Sequence, residues 1–99
     1  YTKKVQIPVT VTEIRRVLQQ EGYDDVYDWY DSPEFEYHEH AHDRETVVWV
    51  IEGSMDLGFP DQAIRLSAGE RYTIPGGVLH TALMGPKGCQ YVLGEKPKL

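Results

Sequence analysis

Residues 69–80 read GERYTIPGGVLH. Gly69 opens a turn, RYTI alternates as a short strand, Pro75-Gly76-Gly77 turns the chain again, and His80 begins the next strand. The other three histidines of the chain fall within five residues, HEHAH at 38–42. In an extended strand, residues two apart share a face. His38, His40 and His42 are therefore predicted to point one way, with Tyr37, Glu39 and Ala41 opposite. The VVWVI that follows must be buried on at least one side, and imidazoles aimed into such a core are costly without partners. A metal ion supplies them, since neutral imidazole is a ligand for zinc, iron, nickel, copper and manganese. Taken by itself, HEHAH also reads as polar surface histidines.

Outward from these two stretches the chain divides into one helix and many short strands. KKVQIPVT, at the start, alternates into Pro8 and reads as a short edge strand. Thr10 and Glu13 have capping-box spacing, Val11, Ile14, Val17 and Leu18 form one apolar stripe, and Gly22 is a plausible stop, which predicts an amphipathic helix over about 10–22. After Gly22 the period changes from helical to two. DDVYDWYDSP, FEYHEHAH, TVVWVIEG, SMDLGF, QAIRLS, RYTIP, HTALM and CQYVLG then follow as strands, punctuated by Gly or Pro-Asp. Such a series predicts an all-β sandwich or barrel. The acidic run from Asp24 to Glu36 lacks calcium-loop spacing and reads as a solvated strand face, while Trp29, Trp49 and Tyr72 read as core aromatics.

Composition bounds the rest. Ninety-nine residues, 40 % hydrophobic, are expected to form one domain over 1–99 with a single core. A net charge of −6 with no basic stripe argues against nucleic acid and anionic membrane as partners. The lone Cys89 excludes an internal disulfide framework and fits a reducing, cytoplasmic setting. No serine sits in a nucleophile elbow, and PGG is followed by no helix that would bind phosphate.

The pattern G(x)5PxGxxH over 69–80, the HxH within 38–53 and Gly53 together resemble the two motifs of the cupin superfamily. The likeness runs from about Val26 to Leu93, and the short Ser54–Ala68 spacing is similar to that of small microbial cupins. It implies a double-stranded β-helix (jelly-roll) barrel with one short N-terminal helix, and a pocket to which both motifs contribute histidines. The first motif departs from the usual HxH(x)3–4E(x)6G. Counting back from Gly53 puts Thr46 at the acid position, whereas counting forward from His38 and His40 reaches Glu45. The Gly53 register is preferred because strand pairing constrains it. It makes His40, His42 and His80 the implied metal ligands, turns Thr46 into the pocket, turns Glu45 away and leaves His38 on the same face, to line the barrel mouth or else to serve as a fourth ligand or pocket proton carrier.

Three neutral histidines on a divalent ion (Fe, Zn, Ni, Mn or Cu) leave its charge uncompensated in the first shell, and open positions accept water or an anionic ligand. The resemblance extends to three-histidine thiol dioxygenases. The N-terminal layout and GPKGCQYVLG also resemble stand-alone small bacterial cupins of no settled activity. A metalloenzyme acting on a small organic acid or thiol, by dioxygenase, isomerase or lyase chemistry, is the first expectation. A non-enzymatic module binding a small ligand or metal is the alternative. Edge strands that need pairing add the expectation of a homodimer.

Overall fold

The computed structural model describes residues 10–97. Helix α1 spans Val11–Gln20, and strands follow as β1 Asp25–Asp31, β2 Glu36–His40, β3 Thr46–Phe59, β4 Gln62–Ser67, β5 Arg71–Ile74 and β6 His80–Glu95. The edge strand expected in KKVQIPVT lies outside the described residues.

The helix forms where its end signals place it. The Thr10 hydroxyl accepts from the Glu13 amide at 3.1 Å, and the Glu13 carboxylate accepts from the Thr10 amide at 3.2 Å, closing a capping box. At the other end Tyr23 N–H donates to the Leu18 carbonyl and Gly22 N–H to that of Gln19, with Gly22 at φ 97°. This is a Schellman closure, and its apolar pair, Leu18 with Tyr23, is buried.

All strand pairings are antiparallel and belong to one sheet. β3 and β6 are long, and each serves two layers. The first half of β3 lies between β5 and the second half of β6, which also carries β1. The second half of β3 lies between β4 and the first half of β6, which also carries β2. Two four-stranded layers joined through two shared strands make the double-stranded β-helix. The sequence reading split each shared strand in two, TVVWVIEG from SMDLGF and HTALM from CQYVLG. Gly53 (φ 84°) and Gly88 (φ 79°) instead bend their strands without ending them. The ladder shifts register at Val50/Glu52 and Gly53/Met55 and then resumes.

Alternation along β3 separates two apolar clusters. Val48 and Val50 point between the layers, with Met55, Leu57, Leu66, Ile74 and Met84. Val47, Trp49 and Ile51 point outward and are covered by Ile14 and Leu18 of α1. The helix is thus a lid on the outer face of one layer, and the barrel interior is left for the site. Trp49 and Tyr72 pack against these clusters, but Trp29 is 52 % exposed and is not a core aromatic. The acidic run is also not uniformly solvated. Asp31 is buried and accepts from the hydroxyls of Tyr91 (2.6 Å) and Tyr37 (2.9 Å) and from Trp29 Nε1 (3.1 Å). Four hydrogen-bond sites on one carboxylate satisfy the buried phenol of Tyr91 and the half-buried one of Tyr37, which supplies the partners that burial of an acid requires.

Candidate metal centre

His40 ends β2 and His80 begins β6, and the two residues face each other across the ladder. His42 arrives from the loop after β2, where its carbonyl accepts from Gly77 N–H at 2.7 Å. The Pro-Gly-Gly turn needs its two glycines for different reasons, backbone conformation at one and close approach at the other. Gly77 has φ 82°, and a Cβ on Gly76 would meet the Asp43 carbonyl at 3.2 Å. The turn therefore lies directly against residues 42–44 and brings His42 to His80. Ring centroids are 4.4 Å apart for His40–His80 and 5.2 Å for both His40–His42 and His42–His80. One ring nitrogen of each lies within 4.8 Å of the other two.

The second ring nitrogens tell which faces are free. His40 Nδ1 lies 2.7 Å from the His38 carbonyl and His80 Nδ1 lies 2.9 Å from the Val78 carbonyl. A carbonyl only accepts, so each Nδ1 carries the proton and each Nε2 keeps its lone pair. His42 Nδ1 faces a carboxylate, Glu95 Oε2, at 3.9 Å. Burial holds His42 and His80 below the ordinary imidazole range, with the neighbouring histidines adding to the effect in both. The neutral, ligating form is thereby favoured. A three-nitrogen group of this kind is able to hold a metal ion.

The histidines sit at one side of a cavity of about 110 Å³ between the two layers. Its other walls are mainly apolar, among them Val48, Leu57, Ile74 and Met84, with the rings of Tyr37 and Tyr91. Tyr37 is on this wall although it was expected on the face opposite the histidines. Tyr37 pairs with Ala82 but His40 pairs with His80, so β2 holds one extra residue between them. That bulge turns Tyr37 and His40 to the same side and leaves the His38 side chain exposed, outside the cavity. The three histidines of HEHAH therefore do not share a face.

Of the two acid positions, Glu45 lies on the helix side of the sheet and accepts from the Tyr23 hydroxyl at 2.8 Å. Thr46 is fully buried and has the parity of Val48, but its hydroxyl donates to the Arg44 carbonyl at 3.1 Å, and it is not part of the cavity wall. A carboxylate that does reach the histidines is Glu95, at the far end of β6. Only strand pairing brings it there, opposite Thr46, and no local pattern in the sequence marks it. Cys89 is buried beside Asp31, and burial followed by that charge pushes its thiol up to about 12. It is a packing residue.

Two bent layers around a three-histidine group define the molecule as a small double-stranded β-helix protein with a site suited to a metal. No family model and no curated protein matches the chain. Solved structures do. A cupin-2 domain containing protein from Shewanella frigidimarina is 36 % identical, with a TM-score of 0.62, over 75 % of this chain and 72 % of that one. An RmlC-like cupin from the same organism is 25 % identical, with a TM-score of 0.66, over 74 % of this chain and 65 % of that one. DMSP lyase from Ruegeria pomeroyi shares the fold at 19 % identity and a TM-score of 0.68, over 75 % of this chain and 38 % of that one. The chain belongs to the cupin superfamily.

Proposed function

We propose that this cupin binds one divalent transition metal per chain through His40, His42 and His80, and presents it to a small organic acid or thiol in the cavity. The observation that carries this reading is the orientation of the imidazoles. His40 and His80 have Nδ1 committed to a backbone carbonyl, and the three rings converge beside an apolar cavity. A metal held by three neutral donors supplies Lewis acidity and open positions for an anionic group. The chain's own residues do the rest. The apolar wall excludes water from the bound ligand, and about 110 Å³ admits a body of only a few non-hydrogen atoms. Tyr37 and Tyr91 are held by Asp31 as rigid walls.

The chemistry fitting this pocket is dioxygenase, isomerase or lyase chemistry on such a ligand. One observation favours the second reading, a binding module without turnover. Both phenols of the cavity already donate to Asp31, so neither offers its proton to a ligand. Elemental analysis of untagged protein purified without added metal tests the shared core of both readings. About one equivalent of transition metal per chain is expected, and a metal-free protein that also fails to take up Fe(II), Zn, Ni, Mn or Cu would refute it.

We place the protein in a reducing cytoplasm, in keeping with its buried free thiol. We also propose a homodimer. β1 pairs only with β6 among the described residues, and it carries Tyr27, Trp29 and Tyr30 at 40 %, 52 % and 59 % exposure. An edge left unpaired among the described residues and rich in exposed aromatics is a surface that a second copy would cover. Sedimentation at micromolar concentration should give twice the chain mass, and a single-chain mass would dismiss the dimer.

A further inference from the structure

We propose that Glu95 is the outer carboxylate of the metal centre, holding the Nδ1–H of His42 and supplying from the second shell the negative charge that Thr46 leaves missing. The inference rests on the reading that His42 is a ligand. His40 and His80 each anchor Nδ1 on the carbonyl two residues earlier, but His42 does not follow that pattern. Its Nδ1 faces Glu95 Oε2 at 3.9 Å. Closing this gap by roughly 1 Å makes a normal hydrogen bond, a motion within side-chain rotation.

Glu95 is itself held in place. Its Oε1 accepts from an Arg44 terminal nitrogen at 2.6 Å, and the other Arg44 terminal nitrogen reaches Asp25 Oδ2 at 2.9 Å. The Glu95 side chain is only 15 % exposed. Two carboxylates share one guanidinium, so Arg44 does not neutralise Glu95 alone, and the Glu95 charge still acts on His42. In the β3–β6 ladder Glu95 pairs directly with Thr46, and opposed residues of an antiparallel pair share a face. The acid absent from position 46 thus has a counterpart across the ladder on the neighbouring strand. Glu95 is not among the donor atoms that lie within 4.8 Å of one another, so it stands outside the first shell. A carboxylate on the far nitrogen of a ligating histidine fixes the tautomer and makes Nε2 more basic.

Titration of the whole protein with Zn(II), in competition with a chelator, and with Co(II), read by its visible bands, tests this. Glu95→Gln should weaken both metals roughly 10- to 100-fold, with one metal per chain and the Co(II) spectrum unchanged in shape. In a His42→Ala background the same change should have little further effect, because the coupling runs through that imidazole. A purely structural role in the Arg44 clamp would keep the full effect there and overturn the proposal. So would an unchanged affinity, or a Co(II) spectrum showing a lost ligand, which would make Glu95 a direct donor. If Glu95→Gln does not fold, Glu95→Asp, which keeps the charge for Arg44 but withdraws it from His42, carries the same comparison. A wild-type protein that binds no metal fails the metal reading itself, and is distinguished by that result.

Discussion

His80→Ala is expected to lower metal affinity by more than roughly 100-fold, beyond the loss typical of an outer-shell partner, while the barrel stays folded. His80 is the most buried of the three rings, at 3 % exposure, and it touches both others. With it gone, only two donors remain, His40 at a strand end and His42 in a loop. The cost to folding is modest because the space vacated joins an existing cavity that His80 already lines. The Val78 carbonyl loses its donor, which costs about 1–3 kcal/mol. At pH below the ordinary imidazole range part of this is offset, because there the buried His80 must shed a proton that the unfolded chain would keep. Metal titration and thermal melts of the metal-free proteins measure the two effects separately. Full metal content in the alanine variant would remove His80 from the ligand set.

Gly53→Ala should cost about 4 kcal/mol or more, a large share of the stability of a domain this size. Gly53 sits at φ 84°, and an added Cβ would lie 2.1 Å from the Gly88 carbonyl oxygen and 3.1 Å from Cys89 Cα. Neither is a movable side chain. Gly88 is itself at φ 79°, with the Tyr30 hydroxyl and the Asp31 carbonyl against its open side. The two bends of the shared strands cross here, so relief on one side creates a clash on the other. Gly69→Ala is the internal control. Its φ is 89° but nothing lies within 4 Å of the added Cβ, so only the left-handed backbone penalty, on the order of 1 kcal/mol, applies. Urea unfolding of the two variants separates strain from clash. Equal losses would show that the crossing does not demand glycine.

Reading Gly53 as punctuation between two strands captures only its conformation. In the folded chain Gly53 is an interior residue of a continuous strand. Periodicity reports which residues extend and where they bend, but not whether the ladder survives the bend. That depends on β6 bending at the same level, thirty-odd residues away in the chain.

Local pattern by itself determined the helix and its two ends, the alternation of the strands, the Gly-Pro punctuation and the paired histidine motifs. Each of these is a property of neighbours in the chain, governed by backbone torsions and side-chain period. Three features were decided only in three dimensions. The bulge in β2 placed Tyr37 beside His40 and turned His38 out, because one extra residue reverses the parity that a flat strand would keep. Asp31 was drawn from an acidic surface run into the core, because Tyr37 and Tyr91 arrive from two other strands to satisfy it. Glu95 reached His42 because strand register, which no short stretch of sequence encodes, sets Glu95 across from Thr46.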